Sequence, residues 1–108
     1  MYIIFQRDLL HCVTKLNFIK EFDMSIPSIL VVEDDFEMQE MMLKFLRKNG
    51  FIVYAATNSD ELQNELRKHR IDLILLDVML GDENGISICK EIRINQNIPI
   101  IIVSALAT

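Results

Sequence analysis

At 108 residues the chain has room for one domain with a modest core. Its 51% apolar content excludes a disordered tail. A net charge of −5, with an isoelectric point near 4.9, argues against the broad phosphate-binding surface of a nucleic-acid binder. The first predicted element is an amphipathic helix in an N-terminal extension, residues 1–25. Phe5, Leu9, Cys12, Val13, Leu16 and Ile19 form its apolar stripe, with no Gly or Pro among them. Beyond Pro27 two periodicities alternate. Ile29–Val32, Ile71–Leu76 and Ile98–Val103 are short Ile/Leu/Val runs suited to parallel strands covered on both faces. Phe51–Ala55 is a further strand, introduced by the helix-stop pair Asn49-Gly50.

Between the strands lie three helical patterns. Met38, Met41, Met42 and Phe45 recur at helical spacing; so do Leu62, Leu66 and His69, with Asn58 and Glu61 resembling a capping box. Ile86, Cys89 and Ile92 mark the third helix, after Gly85. Strand, helix, strand, helix, strand, helix, strand describes an α/β doubly wound parallel sheet with right-handed crossovers. His11 and His69 read as ordinary helix residues and Cys89 as a small core side chain. The two cysteines, Cys12 and Cys89, lack metal-site spacing and fit a reducing cytoplasm better than a disulfide scaffold. No apolar run reaches the ~20 residues of a membrane span. Arg7, Asp8 and His11 interrupt what would be the apolar stretch of a signal peptide.

Open α/β sheets bind ligands at the carboxyl ends of their strands. Those ends carry Glu33-Asp34-Asp35, Asp77 and Ser104-Ala105. Clustered carboxylates repel and raise one another's pKa unless a cation joins them, and hard oxygens without His or Cys point to Mg²⁺. A metal-linked carboxylate at a strand tip, beside a hydroxyl, can accept a phosphoryl group. Each acid alone could equally end a strand or cap a helix; Asp34 or Asp35 could cap the helix starting near Phe36.

ILVVEDD, DLILLDVML followed by ENG, and IPIIIVSA, in that order, resemble the receiver domain of bacterial two-component response regulators. DVML and GISICKEIR look most like the OmpR/PhoB-type transcriptional regulators. The likeness covers residues 26–108 and implies a flavodoxin-like, CheY-like fold with strand order 2-1-3-4-5. It implies that Asp77 is the phosphoacceptor, Asp34 the direct Mg²⁺ ligand with Asp77, Glu33 a ligand through water, and Met79 the donor of a backbone carbonyl to the metal. Ser104 matches the switch hydroxyl, and Ala105 keeps its approach open. The implied partner is a sensor histidine kinase. DNA binding is expected only of a missing C-terminal domain, with no membrane or nucleic-acid contact by this stretch and with dimerisation in the full-length protein. Such a chain is not an enzyme but a phosphoacceptor that assists its own phosphorylation and dephosphorylation.

Two departures from the pattern stand out. Gly81 occupies the position where many members have Pro, which is expected to loosen the loop. At Thr108 the family pattern is about two thirds complete: the last strand, its lysine, the aromatic switch residue and two helices are missing. The reading is therefore of a truncated receiver, with strands 1–4 only and Ile98–Val103 left as an exposed edge. The alternative function is an inactive receiver fragment acting only as a protein-interaction module. A haloacid dehalogenase-type phosphatase would need an aspartate where Met79 stands, and a nucleotide-binding module a Gly-rich loop where EDDFEMQ stands.

Overall fold

The computed structural model describes residues 2–5 and 26–104. Its strands are β1 (Tyr2–Phe5), β2 (Ser28–Val32), β3 (Ile52–Ala56), β4 (Leu73–Asp77), β5 (Met79–Leu80), β6 (Glu83–Asn84) and β7 (Ile100–Ser104). Its helices are α1 (Phe36–Lys48), α2 (Ser59–Lys68) and α3 (Gly85–Asn95). Five strands form one parallel sheet in the order β1-β7-β4-β2-β3, and β5 and β6 pair as a separate antiparallel hairpin.

The Ile/Leu/Val runs form central strands because both faces are covered. Ile29, Val31, Val53, Leu73, Leu75, Ile101 and Val103 pack against Met42, Leu43 and Leu46 of α1. Leu30, Val32, Ile74, Leu76, Ile100 and Ile102 pack on the other face against Leu62 of α2 and Ile88, Cys89 and Ile92 of α3. The alternation along each strand follows from side chains pointing to opposite faces of the pleat. From β2 the chain crosses to β3 by α1, then returns past β2 to β4 by α2 on the opposite face. The order of strands thus reverses between β2 and β4, and open sheets of this kind bind ligands beyond the carboxyl ends of the strands at such a switch.

Helix ends follow local chemistry. Asp35 is the N-cap of α1, taking the N–H of Met38 at 3.0 Å. Asn58 caps α2 by accepting from the N–H of Glu61 at 2.9 Å, while Glu61 turns back to the N–H and Oγ1 of Thr57, at 2.7 and 2.8 Å. His69 ends that helix, its ring stacked on Tyr54 with centroids 3.8 Å apart.

Three expectations are corrected. Phe5 lies in a strand, not on a helix: Tyr2–Phe5 pairs in parallel with Ile101–Ser104. The stripe positions Leu9, Cys12, Val13, Leu16 and Ile19 lie outside the described residues. The sheet accordingly has five strands rather than four, and the β7 edge is covered, because unpaired backbone donors and acceptors beside an apolar strand take the nearest compatible segment. The inward face of α1 also differs from its methionine stripe. Gln39, Met42, Leu43 and Leu46 are buried, whereas Met41 is 53% exposed. Gln39 faces inward because carbonyl groups at the strand ends need its amide.

Candidate functional site

The carboxyl end of β2 runs into Glu33-Asp34-Asp35, and the neighbouring β4 ends on Asp77. Parallel pairing of these strands brings Glu33, Asp34 and Asp77 together, with one carboxylate oxygen from each lying within 4.8 Å of the others. Asp35 is drawn off to cap α1. Asp34 is exposed, Asp77 half-buried and Glu33 only 7% exposed. The Glu33 carboxyl is pushed up to about 8 from an ordinary 4.5, chiefly by burial. A hydrogen bond with Asp77 and the charges of Asp77 and Asp34 add to the rise, against the N–H of Asp35, which bonds Glu33 Oε1 at 3.2 Å.

The backbone beneath the cluster is fastened. The buried Gln39 amide donates to the carbonyls of Glu33 (3.0 Å) and Ala56 (3.1 Å), and the Glu33 N–H reaches the Ala56 carbonyl at 3.0 Å. On the β4 side, the N–H of Met79 donates to Asp77 Oδ1 at 3.2 Å, and that of Val78 to the Val103 carbonyl at 3.1 Å. Met79 then enters the β5–β6 hairpin, pairing with Asn84, while Leu80 pairs with Glu83. The two residues between, Gly81 and Asp82, make the turn. Gly81 has φ +58°, the positive value that tight hairpin turns take at their first central residue and that proline cannot reach. The glycine therefore serves a tight turn rather than slack in the loop. A Cβ on Gly81 would lie 3.6 Å from Asp34 Oδ2, so the hairpin tip flanks the acidic cluster.

Gly85 is required by space. A Cβ there would lie 2.3 Å from the Asp77 carbonyl oxygen and 2.9 Å from Val78 Cα, while its N–H bonds the Val78 carbonyl at 2.8 Å. Helix α3 thus begins against the backbone of Asp77, with Asn84 as its N-cap.

Of the residues singled out in the sequence, Glu33, Asp34 and Asp77 converge, and Met79, 62% exposed, sits beside Asp77. Ser104 ends β7, one residue beyond the Val103 that pairs with Asp77. Ala105 lies outside the described residues. The sequence reading missed Gln39, for which a lone amide on a helix face offered a faint signal, and Glu83, for which there was none.

The three oxygens fit a hard divalent cation: they are carboxylates without His or Cys, close enough for one ion, and a cation would offset the neighbouring charges that help push the Glu33 carboxyl up. No helix among the described residues is long and apolar enough to cross a membrane.

Comparison with known proteins agrees with this geometry. The chain is 35% identical over 83 residues to the transcriptional regulatory protein BaeR of Escherichia coli O6:H1, covering 77% of this chain and 35% of that protein. It is 38% identical over 77 residues to the DNA-binding response regulator MtrA of Mycolicibacterium paratuberculosis, covering 71% and 34% respectively. The chain thus spans about a third of the length of these curated relatives. Among solved structures, the response regulator TrrA of Thermotoga maritima in complex with Mg²⁺–BeF superposes with a TM-score of 0.70 at 26% identity, over 76% of this chain and 72% of that one. Residues 29–108 match the family described as the response regulator receiver domain, and with a parallel sheet whose switch point carries the acidic cluster, the chain belongs to that family.

Proposed function

We propose that Asp77 accepts a phosphoryl group in a Mg²⁺-dependent reaction, the donor being a phosphohistidine on a sensor histidine kinase or a small acyl phosphate. The observation that supports this best is the convergence of Glu33, Asp34 and Asp77 within 4.8 Å at the strand-order switch, with Glu33 pushed up to about 8. A carboxylate oxygen of Asp77 attacks phosphorus, and the P–N bond of phosphohistidine breaks. The electron pair stays on the imidazole nitrogen, which then takes a proton. The N–H of Met79 on Asp77 Oδ1 orients the carboxylate and leaves its other oxygen to attack. Asp34 and Asp77 would hold the ion directly, Glu33 through water, and Met79 through its backbone carbonyl. Bound there, the ion would supply charge neutralisation for the transferring phosphoryl oxygens. Ser104, which ends the adjacent β7, would be the switch hydroxyl that responds to the acquired phosphoryl group.

In this reading the chain is a phosphoacceptor rather than an enzyme with turnover. Residues 26–108 are the receiver, and residues 1–25 an extension that lends it β1. The relatives' names, a transcriptional regulator and a DNA-binding response regulator, support a role in which the receiver governs DNA binding by another domain, and a cytoplasmic location goes with that proposal. Incubation with acetyl phosphate and Mg²⁺, followed by intact mass spectrometry, tests it. The parent should gain one phosphoryl group and Asp77→Asn none; label persisting on Asp77→Asn would sink the assignment. Asp34→Ala should weaken Mg²⁺ binding and leave the fold intact, since it removes repulsion.

A further inference from the structure

We propose that Glu83 is a positioning residue for the acidic pocket, acting by tying the β5–β6 hairpin to the first turn of α2. The inference rests on reading the pocket as a Mg²⁺-dependent phosphoacceptor site. The hairpin supplies two of the pocket's neighbours: the N–H of Met79 on Asp77 Oδ1, and Gly81, whose tip lies beside Asp34 Oδ2. Two residues per strand are too few to hold such a ribbon in place unaided. Something outside it must fix its angle to the sheet.

Leu80 and Glu83 pair across the ribbon, so their side chains leave it on one face. Leu80 enters the core at 3% exposure. Glu83 Oε1 accepts the N–H of Ser59 at 3.1 Å, across 24 residues of chain. Ser59 is the first residue of α2, so its N–H has no partner within the helix. The local caps are spent elsewhere: Asn58 takes the N–H of Glu61, and Glu61 turns back to Thr57. A carboxylate from outside fills the remaining place, where the positive end of the helix dipole favours it. The hairpin is thereby held at both ends. Gly85 and Asn84 lock it to Val78 and α3, and Glu83 locks it to α2. A carboxylate that orients ligand-bearing backbone without touching the ion acts as an outer-shell partner, and loss of such partners typically weakens metal affinity about 10–100-fold.

The experiment uses the full 108-residue chain titrated calorimetrically with MgCl₂ alone, beside amide exchange and thermal unfolding. Glu83→Ala should weaken Mg²⁺ binding about tenfold or more and speed exchange at the Ser59 and Met79 amides. Glu83→Gln, which keeps an acceptor oxygen, should retain most of the affinity. Ser59→Pro removes the donor at a first-turn position where proline fits, and should reproduce the loss seen with Glu83→Ala. The double variant should bind no more weakly than either single one, because both break the same bond. Glu83→Ala that lowers the melting temperature but binds Mg²⁺ like the parent overturns the inference, as does additive loss in the double variant. Asp34→Ala is the control for the pocket itself. If the parent shows no Mg²⁺ binding, or Asp34→Ala binds as tightly, the reading of the pocket falls and Glu83's role falls with it. If both behave as expected and the Glu83 variants match the parent, only the Glu83 inference falls.

Discussion

Replacing Gly85 by alanine tests how closely α3 is built against the reactive strand end. The added Cβ would stand 2.3 Å from the Asp77 carbonyl oxygen, about 0.7 Å inside the 3.0 Å that real Cβ contacts respect. It would also meet Val78 Cα at 2.9 Å and the Asp77 carbonyl carbon at 3.1 Å. All three atoms are backbone, so no flexible side chain can give way. Either the start of α3 retreats, stretching the 2.8 Å bond from the Gly85 N–H to the Val78 carbonyl, or the end of β4 moves and carries the Asp77 carboxylate with it. Overpacking of this kind costs roughly 1–3 kcal/mol, and rigid neighbours favour the upper part of that range. The gain from alanine's better helix propensity is at most about 1 kcal/mol, so the clash prevails. Urea unfolding should show a lower midpoint with an unchanged slope, and MgCl₂ titration a weaker affinity, because the ligand set is displaced. A Gly85→Ala chain as stable as the parent, with undiminished Mg²⁺ affinity, would refute the argument.

The Glu33 proton makes metal-free stability pH-dependent. The folded chain keeps that proton up to about 8 while the unfolded chain releases it near 4.5, so stability falls as pH rises between them. The slope approaches about 1.4 kcal/mol per pH unit at most, and urea titrations from pH 5 to 8 should lose it in Glu33→Gln; equal slopes in the two chains would contradict the cause given. Gln39→Leu strips the amide donor from the Glu33 carbonyl and should cost about 1–3 kcal/mol, read as a lower urea midpoint, whereas an unmoved midpoint would mean that the carbonyl finds another donor. Removing residues 1–5 uncovers the β7 edge and should produce concentration-dependent association in gel filtration; monomeric elution with an unchanged unfolding midpoint would show that β1 does not guard it.

The sequence by itself determined the four sheet strands and three helices of residues 26–104 and the outline of the acidic site, though not the β5–β6 hairpin beside it. Short Ile, Leu and Val runs, two of them broken once by Asp72 and Pro99, suit strands covered on both faces, and that is how they fold. Acids placed where those runs end must meet once parallel pairing sets the strands in register, as Glu33, Asp34 and Asp77 do. The caps Asp35, Asn58 and Asn84 lie within three residues of the N–H groups they serve, and Asn58 was legible for that reason. Relations between segments distant in the chain belonged to the tertiary structure. Tyr2–Phe5 is apolar enough for either a helix stripe or a strand, and its partner, Ile101–Ser104, is nearly the whole chain away. Apolar spacing set α1 a step off, because Gln39 is turned inward by strand-end carbonyls that no pattern within the helix reveals. The reach of Glu83 to Ser59 and the clearance beside Gly85 are of the same kind. Periodicity reports which face of an element is apolar, but hydrogen-bond partners, close approaches and the charge felt by Glu33 exist only once separate elements share the same space.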